Sequence, residues 1–69
     1  MDDCVEVRKV VERAVKTMRA FNRIAGDMIS YHTYEQVVSA VVESLNRPRD
    51  EVEVCVMKSL SEMGIYVAF

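Results

Sequence analysis

Tryptophan is missing from this 69-residue chain, and proline (one), histidine (one) and glycine (two) are scarce. Each shortage excludes something. His32 and the two cysteines, Cys4 and Cys55, match no zinc-ligand spacing within one chain, so no metal is expected. Gly26 and Gly64 stand too far apart to build a glycine-rich phosphate loop, and each reads as a helix stop. Nothing places His32 beside either cysteine for nucleophilic catalysis. The acids are scattered over helix ends and outer faces, so neither an enzyme nor a cofactor is expected. No apolar run approaches the roughly 20 residues that cross a bilayer. The acidic start Met1–Asp2–Asp3 is unlike a basic leader followed by an apolar core. An intracellular protein without a membrane role is the expectation.

What remains is globular in composition: 51% hydrophobic and 29% charged residues, with a formal net charge of -2. Valine dominates the apolar set. A single domain of this size, with a core of small side chains, has little stability to spare, and dimerisation would enlarge the core. A homodimer is therefore expected. Cys4 and Cys55 read as free thiols, Cys55 as a small core residue. A single Cys4–Cys55 bridge is the alternative, chiefly in a hyperthermophile, where intracellular disulfides occur.

The pattern predicts a mostly α domain with a minor β component, three helices and two short strands. A first helix spans about 3–24, with Val7, Val11, Ala14, Met18, Phe21, Ala25 and Met28 as its apolar stripe and Gly26 as its stop. Met28–His32 reads as a short strand or extended link. Thr33 opens a second helix with a capping-box pattern to Gln36. That helix buries Val37, Val38, Ala40, Val41, Val42 and Leu45 and ends at Asn46 before Pro48. Asp50 caps a third helix whose inner face is Val52, Val56, Leu60 and Met63, with Cys55 beside them and Gly64 at its end. The β-forming run Ile65–Phe69 follows, placing Ile65, Val67 and Phe69 on one face. Tyr31, Tyr34 and Tyr66 fall near the strands, where cross-strand packing is the expected use.

This order resembles the winged-helix family of helix-turn-helix domains over roughly residues 28–69. The residues that carry it are Thr33 at the head of the second helix and the turn Asn46-Arg47-Pro48-Arg49. Val52, Val56 and Leu60 point inward, and Glu62-Met63-Gly64-Ile65 leads from helix to wing strand. The resemblance implies a small regulatory DNA-binding protein that acts in transcription and reads DNA with its third helix. That helix carries Glu51, Glu53 and Glu62 against Lys58 alone, whereas base-reading helices present Arg, Lys, Asn or Gln.

Positive charge is concentrated elsewhere. Residues 8–23 hold Arg8, Lys9, Arg13, Lys16, Arg19 and Arg23 against only Glu12. Taken opposite the apolar stripe, Arg8, Lys16, Arg19 and Arg23 share one side of the first helix, with Lys9 and Arg13 at its edge. A phosphate-tracking surface is therefore expected at Arg8, Arg13, Lys16, Arg19 and Arg23, supplemented by Arg47 and Arg49 in the turn. The alternative is a protein-interaction or oligomerisation module. It would use the acidic third helix and the edge of the last strand at Ile65, Tyr66, Val67 and Phe69.

Overall fold

The computed structural model describes residues 4–22, 24 and 26–68. Three helices and two short strands follow in the order α1 (Val5–Ala20), β1 (Met28–Ser30), α2 (Tyr31–Leu45), α3 (Arg49–Glu62) and β2 (Tyr66–Ala68). The fold is mostly α with a minor β component, as the hydrophobic periodicity predicts. The two strands pair in parallel, with Met28 opposite Tyr66, Ile29 opposite Val67 and Ser30 opposite Ala68. A parallel pair needs a long crossover, and here α2 and α3 together form it.

The helix ends rest on identifiable caps, and several differ from the sequence expectation. α1 stops at Ala20 rather than near Ile24. Asn22 adopts the left-handed conformation (φ 56°) and its amide donates to the Arg19 carbonyl, so the chain leaves the helix before Gly26. Asn tolerates this conformation better than other non-glycine residues. At the head of α2, Ser30 takes the capping role assigned to Thr33. Its hydroxyl accepts from the Thr33 amide at 3.1 Å, which leaves β1 only three residues and starts the helix at Tyr31. At the head of α3, Pro48 occupies the cap position assigned to Asp50, and Asp50 and Glu51 fall in the first turn. Both acids still complement the helix dipole there.

Two exits follow the expectation. Asn46 ends α2 in the left-handed conformation (φ 52°). α3 ends in a Schellman motif: Gly64 (φ 73°) donates to the Ser61 carbonyl and Ile65 to the Leu60 carbonyl. The accompanying apolar contact is supplied by Ile65 and Leu60, both buried.

The core is built mainly from valine. Val7 and Val11 of α1, Val38 and Val41 of α2, and Val52 and Val56 of α3 are fully buried, with Ile29 and Leu60. α3 packs against both other helices. Within α1 the buried set is Val7, Val11, Val15 and Met18; Ala14 is half-buried and Phe21 and Met28 are exposed. The expected stripe is therefore corrected: Val15 replaces Ala14, because the larger side chain fills more of the space facing α3. Ala25 of that stripe lies outside the described residues. On α2, Ala40 is exposed, and Tyr34 is buried in its stead. Tyr34 packs beside Tyr31 with ring centroids 5.8 Å apart, so these two tyrosines pair along a helix rather than across strands.

Cys4 and Cys55 form a disulfide, with Cα atoms 5.2 Å apart. This corrects the reading of two free thiols: the packing of α1 against α3 brings together residues 51 positions apart, which no local pattern reveals. The chain-entropy model assigns a closure of this length about 4 kcal/mol. Reduction, or the Cys4→Ser/Cys55→Ser double substitution, is expected to lower Tm by about 15 °C or more for a domain this small. Calorimetry with thiol counting tests this; an unchanged Tm in the fully reduced protein would contradict it.

Candidate nucleic-acid interface

The cations of α1 are positioned by which side of the helix meets the core. With Val7, Val11, Val15 and Met18 buried, the direction opposite the core falls, at about 100° per residue, between Lys16 and Arg13, with Lys9 midway. Lys9, Arg13, Lys16 and Arg19 are all exposed. Lys9, Arg13 and Lys16 follow the spacing i, i+4, i+7 and form one ridge about 10 Å long, with Arg19 displaced toward α3. A shallow depression on this ridge is lined by Lys9, Glu12, Arg13 and Lys16. Arg13 also borders a groove of about 440 Å³ between α1 and α2, floored by Val10, Ala14, Met18 and Val37.

The other expected phosphate-binding residues are placed differently. Arg8 is half-buried on the α3 side of α1 and its guanidinium donates to Glu62 Oε1 at 3.1 Å. Arg47 pairs with Glu51 at 3.6 Å. Arg49 donates to Glu35 and pairs through Nε with Glu53 at 3.3 Å, linking α2 to α3. Arg23 lies outside the described residues. Among the described residues, no ion pair engages Lys9, Arg13, Lys16 or Arg19. The structure thus brings together Arg13, Lys16 and Arg19 from the expected set, and adds Lys9. Lys9 lies within about 20° of the direction opposite the core whether Ala14 or Val15 is the inner residue; seating Val15 inward turns Arg8 and Arg19 toward α3 and leaves Lys9 at the centre of the ridge.

At the C-terminal strand, Ile65 is buried, Val67 is half-buried and Tyr66 is 68% exposed, and Phe69 lies outside the described residues. Of the expected C-terminal interaction surface, Tyr66 is the residue that offers its side chain to solvent. Two further apolar residues sequence reasoning left out of that surface, Val54 and Met57 of α3, are also exposed. Met57 and Tyr66 line one groove beside β2.

Among the described residues, no group of three His, Cys, Asp or Glu side chains stands close enough to hold a metal ion. No helix among the described residues is long and apolar enough to cross a membrane. Comparison with protein-family models, with curated proteins and with solved structures returned no match.

The ion-pair cluster at the α2–α3 junction carries a pH dependence. Tyr31 donates to Glu35, and with the Arg49 guanidinium this holds the Glu35 carboxyl below its ordinary value, although partial desolvation opposes the shift. The same hydrogen bond raises the Tyr31 hydroxyl pKa. Burial, then the Glu53 and Glu35 charges, raise that of Tyr34. A carboxyl depressed in the folded state contributes stability above the unfolded pKa and loses it as pH falls through the folded one. Wild type should therefore melt above Glu35→Gln at neutral pH. That gap should narrow below about pH 4.5 and close at more acidic pH. A gap that stays constant from pH 7 to 2 would contradict the assignment.

Proposed function

We propose that the chain is a small nucleic-acid-binding protein of winged-helix-like architecture, with a regulatory role on DNA, that tracks phosphates with the outer face of α1. The observation that carries this reading is the ridge of Lys9, Arg13 and Lys16, with Arg19 beside it, exposed and without carboxylate partners among the described residues. Every described arginine outside that face is held by a carboxylate: Arg8 by Glu62, Arg47 by Glu51, Arg49 by Glu35 and Glu53. A ridge about 10 Å long matches the rise of two to three phosphates along one strand of B-DNA. Contacts of this kind fix position and affinity and carry little base information. α3, with its acidic first turn, is left out of the phosphate contacts. An intracellular location belongs to this reading, in a cell whose redox state sustains the Cys4–Cys55 bridge.

The second reading, an interaction or oligomerisation module, is favoured by the exposed apolar residues Val54, Met57 and Tyr66. The two readings use different residues and are compatible.

Binding to a duplex at low salt, followed by fluorescence anisotropy, tests the first. Three to four phosphate contacts predict a log–log dependence on salt with a slope of about −3 to −4. Replacing Lys9, Arg13 and Lys16 together by Gln should bring that slope near −1 and abolish binding at moderate salt. Absence of binding to duplex and single strand at low salt, or a slope unmoved by the triple substitution, would overturn the reading.

A further inference from the structure

Around α1 the cation ridge gives way to an apolar groove within about a quarter turn. At about 100° per residue, Thr17 follows Arg13 at about 40°, Val10 at about 60° and Ala14 at about 100°, all toward α2. A quarter turn is roughly 8 Å on a helix about 10 Å across, comparable to the span from a phosphate to the base of its own nucleotide. The groove between α1 and α2 has Val10, Ala14, Met18 and Val37 in its floor. Arg13 is the one charged side chain among the described residues that line it. Gln36 and Ser44 of α2, both exposed, stand on its opposite rim. The Gln36 amide can both donate and accept, as the edge of a base does.

An exposed ring stands beyond the end of this groove. The Phe21 amide donates to the Thr17 carbonyl, so Phe21 continues the helical path of α1. Seven residues past Ala14, it falls within about 20° of it around the helix. Its side chain is 72% exposed.

These features select one occupant. A cation shared by ridge and groove calls for an anionic ligand. An apolar floor with a polar rim suits a group with flat apolar faces and polar edges, and the Phe21 ring offers a platform for a second flat face. An acyl chain lacks the polar edges, and an acidic helix lacks the flat faces. Unpaired bases on a phosphate backbone have both, whereas a duplex keeps its base faces stacked inside and shows only their edges.

We infer that this surface takes single-stranded nucleic acid, with phosphates on the Lys9–Arg13–Lys16 ridge, a base in the α1–α2 groove and a further base stacked on Phe21. The inference rests on the phosphate-tracking reading of the ridge and names the class of strand that gains most from it. Base contacts release no counterions, so they add affinity without steepening the salt dependence.

Fluorescence anisotropy of the intact, oxidised chain tests this with oligothymidylate, oligouridylate, an abasic strand of equal length and a duplex, and circular dichroism confirms that each variant folds. The abasic strand keeps every phosphate and loses every base. At least one of the two base-bearing strands, DNA or RNA, should bind about ten-fold or more tighter than the abasic strand, by a ratio that persists as salt rises. Phe21→Ala should weaken that strand about five-fold or more and leave the abasic strand and the duplex unchanged. Ala40→Leu, at an exposed position lining the groove, should likewise weaken only base-bearing strands. Equal binding of base-bearing and abasic strands, both lost on the Lys9, Arg13 and Lys16 triple substitution, would overturn the inference and leave the phosphate ridge standing. Absence of binding to every strand would overturn both. Binding to phosphatidylglycerol vesicles that Ala40→Leu weakens, with no base dependence, would assign the groove to an acyl chain and overturn the inference.

Discussion

Everything in this molecule depends on closing a core of small branched side chains around α3. Valine supplies most of the fully buried side chains from all three helices. Such side chains are stiff and lose little rotamer freedom on burial, but each removes only modest apolar area from water. A chain of 69 residues therefore gains from a covalent tie. The Cys4–Cys55 bridge supplies one between the start of α1 and the middle of α3. The Arg8–Glu62 pair joins α1 to the far end of α3, and Arg49 joins α3 to α2 through Glu35. The ties from α1 to the middle and the C-terminal end of α3 hold α1 in one rotation about its own axis.

That rotation decides where the charge goes. Seating Val7, Val11, Val15 and Met18 inward turns Lys9, Arg13 and Lys16 outward and brings Arg8 against α3. The net charge of -2 conceals this segregation: the outer ridge of α1 is basic, whereas α3 is acidic at its start and apolar at its outer centre. Packing and the proposed phosphate surface are thus linked through one geometric quantity, the angle at which α1 meets the valine core.

Much of this was legible in the residues. The succession of elements followed from apolar periodicity and from Asn46, Pro48 and Gly64, whose backbone preferences act locally. The inner face of α3 was readable because Val52, Val56 and Leu60 recur at helical spacing with little competition from neighbours. The helix starts were misplaced because Ser30, Thr33, Pro48 and Asp50 are all competent near an N-terminus, and tertiary packing chose among them. The face of α1 was misjudged because Ala14 and Val15 are adjacent apolar residues, and only the presence of α3 favours the larger one inside. The disulfide stood only as the alternative to two free thiols for a related reason: Cys4 and Cys55 meet through the fold and share no local signal. Of the candidate site, Arg13, Lys16 and Arg19 were found by charge clustering, and Lys9, in the same cluster, was assigned to the edge although the helical wheel already sets it nearly opposite Val7, Val11 and Met18.

The outer face of α1 is proposed as the phosphate-binding surface. Backbone amide chemical-shift mapping during titration with a short duplex at low ionic strength tests it most directly. Phosphate contacts there should give progressive, salt-reversible shifts centred on Lys9, Glu12, Arg13 and Lys16, with Val54 and Tyr66 unmoved by the duplex. Shifts centred on α3 or the strand pair, or no shifts at all, would contradict it.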